Sequence, residues 1–134
     1  MMNNRLSPEL YRVIDANLNR LKEGIRVVED ILRYKDNNKK LALELKNLRH
    51  KAKVTETIEL LNERDSINDV MRESIKSELK RTDISEIVLA NFKRAQESAR
   101  VLEELYKLNN TKYSENFKYI RYELYSIEKK ALLN

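Results

Sequence analysis

DANLNRLKEGIRVVED, residues 15–30, decides the fold, because the chain contains it a second time as LANFKRAQESARVLEE, residues 89–104. Seven of the sixteen aligned positions are identical, where unrelated helices would share about one. Five of the seven identities are polar: Asn17/Asn91, Arg20/Arg94, Glu23/Glu97, Arg26/Arg100 and Glu29/Glu103. A repeat kept for packing alone would retain mostly apolar residues. Two polar copies point instead to one site assembled from both.

On a helical wheel, Ile14, Leu18, Leu21, Ile25, Val28 and Leu32 form one apolar stripe, answered by Val88, Phe92, Ala95, Ala99, Leu102 and Tyr106. Beside it runs a mixed stripe of Ala16, Asn17, Arg20, Gly24, Val27 and Ile31, answered by Ala90, Asn91, Arg94, Ser98, Val101 and Leu105. Asn17 and Arg20 thus fall within the apolar arc, where a charge drawn from water needs a partner. Glu23 and Glu97, three residues after each arginine, are spaced to supply it. The expectation is a shared, sheltered cavity. Gly24 and Ser98 are small enough to admit a ligand or another backbone. Arg26, Arg100, Glu29 and Glu103 fall on outward arcs and read as surface ion pairs or dimer contacts.

Outward from these helices, Ser7, Pro8 and Glu9 announce the start of the first, which should run to about residue 34. After KDNN, the positions of Leu41, Leu45, Leu48, Ala52 and Ile58 predict a second helix to about residue 62. Thr82 or Asp83 caps the helix bearing the second copy, which ends near residue 108. The last helix buries Phe117, Ile120, Leu124, Ile127 and Ala131. LRHK at 48–51 answers IRYE at 120–123, so each hairpin presents an arginine, Arg49 or Arg121, beside its seam. The fold class is therefore all-α: an antiparallel bundle of four long helices and a short connecting helix, built from a duplicated helical hairpin. The organisation is one domain over 1–134, with repeat 1 at about 7–62, a linker at 63–82 and repeat 2 at about 83–134. The unrepeated stretch NERDSINDVMRESIKSELKRT, 62–82, should open as a charged loop and continue as a short helix over 70–80.

One glycine, one proline and 37% charged residues suit such a bundle. No GxxxxGK[ST] or GxGxxG occurs, so phosphate binding must use side chains or helix ends. Without cysteine there is no disulfide scaffold, thiolate metal site or cysteine nucleophile. MMNNRLSPEL lacks an apolar leader core, and no stretch approaches the roughly 18 apolar residues of a membrane span, so a soluble cytoplasmic protein is expected. A net charge of +5 favours anionic ligands. Nucleic acid is disfavoured for want of an aromatic platform or a basic recognition helix, and a di-metal bundle for want of ExxH. A homodimer across the tyrosine-bearing seam stays open.

The ordered blocks DANLNRLKEGIRVVEDILRY, LKNLRH, ERDSINDV, ANFKRAQESARVLEELYK and IRYELYSIEK resemble a helical domain of bacterial thiamin biosynthesis. That family is the non-ribokinase hydroxymethylpyrimidine phosphate kinase, often fused to the N-terminus of thiamin-phosphate synthase. The resemblance implies ATP-dependent, magnesium-assisted phosphorylation of 4-amino-5-hydroxymethyl-2-methylpyrimidine phosphate to its diphosphate. It also implies thiamin-phosphate synthase as a partner. The alternative is a non-catalytic module that binds a phosphorylated thiamin precursor or docks on the synthase. Of the family pattern RDxxxDVG, Arg64, Asp65, Asp69 and Val70 match, while Met71 stands in place of glycine.

Phosphoryl transfer needs positioning and charge neutralisation more than covalent chemistry. Arg20, Arg94, Arg49 and Arg121 are candidate phosphate clamps, suited by their forked geometry, with Arg64 closing over the phosphates. The alternative for each arginine is simple pairing with Glu23 or Glu97. Asn17 and Asn91 can read an aminopyrimidine edge, or bond each other as a register device. His50, beside Arg49, is a substrate-binding candidate; the acceptor phosphate is already ionised at neutral pH, so no strong base is required. Asp65 and Asp69 are the candidate magnesium ligands, or else ordinary turn formers.

Overall fold

In the computed structural model, which describes residues 5–133, every regular element is a helix, with no strand among the described residues. Residues 1–4, part of the stretch read as lacking a leader core, and residue 134 lie outside that description. Helix α1 spans Pro8–Asp30. Ser7 caps it, its hydroxyl accepting from the Leu10 N–H at 3.3 Å, and Pro8 occupies the first turn, where a missing N–H costs nothing. The helix then loosens into a π turn at Ile31–Lys35, and Asn37, in the left-handed region at φ 51°, reverses the chain. Asn38 caps α2 (Lys39–Lys51), accepting from the Leu41 N–H at 3.1 Å.

The predicted long second helix is broken. It stops at Lys51, and α3 (Thr57–Glu63) begins after an extended stretch. Val54, Thr55, Thr57 and Ile58 are β-branched and poor at continuing a helix. Tertiary contacts favour the break: Val54 is buried, and the Thr55 N–H donates to the Tyr113 hydroxyl at 3.1 Å. Ile58, expected on the seam, is exposed, and Leu60 takes the buried position.

Helix α4 (Ile84–Tyr106) is capped by Asp83, whose carboxylate accepts from the Glu86 N–H at 2.9 Å; α5 (Thr111–Leu133) runs back along it. The expected connecting helix over 70–80 is reduced to a single 3-10 turn, Lys76–Leu79, and no residue from 64 to 83 is buried.

The most extensive helix contact is α1 on α4, followed by α4 on α5 and α1 on α2. Both predicted apolar stripes are buried, and Leu41, Leu45 and Leu48 from α2 join Phe117, Ile120, Leu124 and Ile127 from α5 to complete the core. Gly24 sits at the α1–α4 crossing: a Cβ there would stand 3.0 Å from the Asn91 carbonyl oxygen and 3.3 Å from Ala95 Cβ. The approach that glycine permits is therefore that of the other repeat's backbone. No helix among the described residues is long and apolar enough to cross a membrane.

Candidate functional site

The five repeated polar pairs fall into three settings. Glu29 and Glu103, read as outward-facing, are buried, each meeting the arginine of its own hairpin. Arg49 forks onto Glu29, Nε to Oε1 at 2.8 Å and Nη2 to Oε2 at 3.1 Å. Arg121 meets Glu103 from Nε and Nη2, both at 2.9 Å from Oε1. The wheel misplaced these glutamates because the second helix of each hairpin covers the arc they occupy, which a single-helix projection cannot show. Arg49 and Arg121, expected to clamp phosphate, are thus engaged in holding their hairpins together. The bond to Glu29 raises Arg49 above its ordinary, already high value. Neither pairs with Glu23 or Glu97. Arg26 and Arg100 do make surface pairs, with Asp30 at 3.1 Å and Glu104 at 3.4 Å.

Asn17, Arg20, Glu23, Arg94 and Glu97 face an open groove. Its first lobe, about 600 Å³, lies between α1 and the linker and is lined by Arg12, Val13, Asp15, Ala16, Asn17 and Arg20 opposite Arg64, Asp65, Ser66, Asn68, Asp69 and Val70. The second, about 560 Å³, lies between α1 and α4: Asn17, Arg20 and Glu23 face Ala90, Lys93, Arg94, Glu97, Ser98 and Val101, with Glu78 reaching in from the linker. Asn17 and Arg20 form the wall common to both. Arg20 and Arg94 therefore share one groove, as the repeat predicts. It is not sheltered: Arg20, Glu23, Arg94 and Glu97 are all exposed. The mixed stripe lies at the edge of the α1–α4 interface rather than inside it, so these charges keep their hydration without intrahelical pairing. None of the four side chains makes a hydrogen bond or ion pair among the described residues.

The asparagines do not bond each other. Asn17 Nδ2 donates to the Val13 carbonyl at 2.9 Å, and Asn91 Nδ2 to the Ile87 carbonyl at 2.8 Å, the same i−4 bond in each copy. Each amide oxygen is left without a protein donor among the described residues. Asn17 lines both lobes. Asn91 does not line the groove and contributes its backbone to the Gly24 crossing instead. His50 is exposed on α2, whose residues line neither lobe.

The linker wall is pinned at its base. Arg64 forks onto Asp15, Nε to Oδ2 and Nη2 to Oδ1, both at 2.8 Å, and Arg12 Nη2 donates to the Asp65 carbonyl at 2.8 Å. Asp15, a buried carboxylate, was not singled out from the sequence. The available signal was its departure from the repeat, where Leu89 occupies the matching position. Asp65 accepts from the Asn68 side chain at 2.8 Å and its N–H at 3.1 Å, which holds its carboxyl below the usual range; Asp69 accepts from the Met71 N–H at 2.9 Å. Both aspartates thus shape their turns while facing the lobe that contains Arg20. Among the described residues no three His, Cys, Asp or Glu side chains gather as a metal cage.

The sequence pattern of the ThiD2 family matches residues 12–130. The chain belongs to this family. Among curated relatives, a thiamine-phosphate synthase of Nostoc punctiforme is 40% identical over 120 residues, covering 89% of this chain and 34% of the relative. Thiamine-phosphate synthases of Thermosynechococcus vestitus and Rhodopirellula baltica are 38% and 33% identical, each over 93% of this chain and about a third of their own length. The chain spans about a third of the curated relatives it matches. No solved structure matches it. In this ThiD2 chain Met71 needs no glycine-like backbone, since Asn37 is the only non-glycine residue with positive φ among the described residues. The turn after Asp69 therefore accommodates the substitution.

Proposed function

We propose that this ThiD2 chain acts in thiamin biosynthesis by transferring a phosphoryl group from ATP to 4-amino-5-hydroxymethyl-2-methylpyrimidine phosphate, giving the diphosphate. The observation that carries the reading is the pair of repeat-related arginines, Arg20 and Arg94, left without carboxylate partners in one groove that also faces Asp65 and Asp69. Two anionic groups must approach each other in this reaction, and two guanidiniums on opposite walls offset their mutual repulsion. In the transfer, an ionised oxygen of the pyrimidine's phosphate forms a bond to the γ-phosphorus as the bond to the β-bridging oxygen breaks, and ADP leaves with those electrons.

In this assignment the donor occupies the first lobe, against Arg12, Arg20 and Arg64. The acceptor occupies the second, its phosphate on Arg94 and Lys93. The Asn17 oxygen, held outward by the bond to Val13, accepts from the pyrimidine's exocyclic amine. Glu23 and Glu97 make the rim selective for a ligand that brings hydrogen-bond donors or a cation along with its phosphates. Asp65 and Asp69 are hard-oxygen donors on the donor lobe and fit magnesium, which takes one or two carboxylates and fills the rest of its shell with phosphate oxygens and water. Magnesium there would neutralise charge on the transferring group.

Purified protein incubated with ATP, magnesium and the pyrimidine phosphate should yield the diphosphate, followed by phosphorus NMR, and chelation of the metal should abolish it. No diphosphate under conditions where a ribokinase-type kinase makes it would refute the reading. A non-catalytic module that binds a phosphorylated thiamin precursor, or docks on thiamin-phosphate synthase, is favoured by one observation: relatives named for the synthase carry this region as about a third of a longer chain. It calls for binding without ATP turnover, and for binding that survives Asp65→Asn.

A further inference from the structure

The linker exposes a run of large apolar side chains beside the groove. Ile67 is 77% exposed, Val70 96%, Met71 83% and Leu79 72%. Apolar surface of this kind, on a segment that buries nothing, marks a face that meets something. Its counterpart lies across the groove: Val70 already lines the first lobe with Val13 and Ala16, and Val13 on α1 is itself exposed. The segment touches the groove again at Glu78, in the second lobe. Its base is fixed by the Asp15–Arg64 fork and the Arg12 bond to Asp65.

We propose that residues 65–82 are a cover that closes over the groove when ligand fills it, hinged on the Asp15–Arg64 clamp, with Asp15 as a positioning residue. The proposal rests on the kinase reading for what triggers closure. An open groove leaves the γ-phosphoryl group accessible to water, which would compete with the acceptor phosphate; closing Val70, Met71 and Leu79 over it removes that competitor and buries their apolar surface. The clamp exists in one copy of the repeat only, because Leu89 replaces Asp15 in the other. The cover is therefore anchored at the donor lobe and reaches the second lobe at Glu78.

Hydrogen exchange on the full chain, with ATP·Mg²⁺ and the pyrimidine phosphate added singly and together, tests this alongside product formation. With both ligands, amides in 65–80 should exchange at least tenfold more slowly, and Asp15→Asn should remove most of that protection. The double variant M71S/L79S changes only exposed positions that line neither lobe. It should keep the melting temperature and diphosphate synthesis while raising the ratio of released phosphate to diphosphate at least tenfold. Protection confined to α1 and α4, with linker exchange unchanged, overturns the cover and leaves the kinase reading standing. Absence of both binding and product overturns both. Linker protection that grows with protein concentration, together with a dimer mass, gives the apolar side chains to a second copy and overturns the cover.

Discussion

Arg20 and Arg94 differ from Arg49 and Arg121 in one respect that mutation exposes: what each leaves behind. Arg20→Ala or Arg94→Ala strands no partner, so the melting temperature should hold while turnover falls about 100-fold, as when an electrostatic contact to a transition state is lost. Arg49→Ala strands buried Glu29, and Arg121→Ala strands buried Glu103. Each should cost about 3 kcal/mol in denaturant unfolding. Equal destabilisation by all four substitutions would remove the distinction. Glu56 offers a pH test. Burial raises its carboxyl above the ordinary value, against a lowering bond from the Tyr106 hydroxyl at 3.1 Å. The folded state therefore binds this proton more tightly than the unfolded state, and stability falls as pH climbs from about 4.3 through the raised value. Glu56→Gln keeps an acceptor for Tyr106 and removes the charge. It should melt higher than the parent at pH 7, with the gap closing towards pH 4.

Among the elements, the α1–α4 crossing is the most sensitive to side-chain size. Gly24→Ala gains helix propensity of about 1 kcal/mol but presses a methyl on the Asn91 carbonyl, and backbone cannot swing aside as a side-chain end can. Overpacking costs of about 1–3 kcal/mol outweigh that gain, so a lower unfolding midpoint is expected, with weaker ligand binding as Arg94 shifts with its helix. Much of this level was legible from apolar periodicity and caps: Ser7, Pro8 and Asp83 mark helix starts where the chain has them. The break after Lys51 was signalled by the β-branched run from Val54 to Ile58, and the spacing of the leucines obscured it. The repeat singled out five polar pairs but not which way they face. That depends on the covering helix, which put Glu29 and Glu103 inside and left Glu23 and Glu97 in water. Asp15 escaped notice because it breaks the repeat instead of obeying it.

At the scale of the molecule, two hairpins joined across α1 and α4 carry the whole buried core, and the connection between them carries none of it. Arg72, Lys76, Lys80 and Arg81 are all exposed in that connection. Trypsin should therefore cut there first, and the two fragments should still elute together at the parent mass under native conditions. On that outcome, continuity of the chain between the hairpins is dispensable for assembly. The halves could be expressed from separate genes, exchanged between homologues or rejoined in reverse order, and the crossing at Gly24 would still bring them into register.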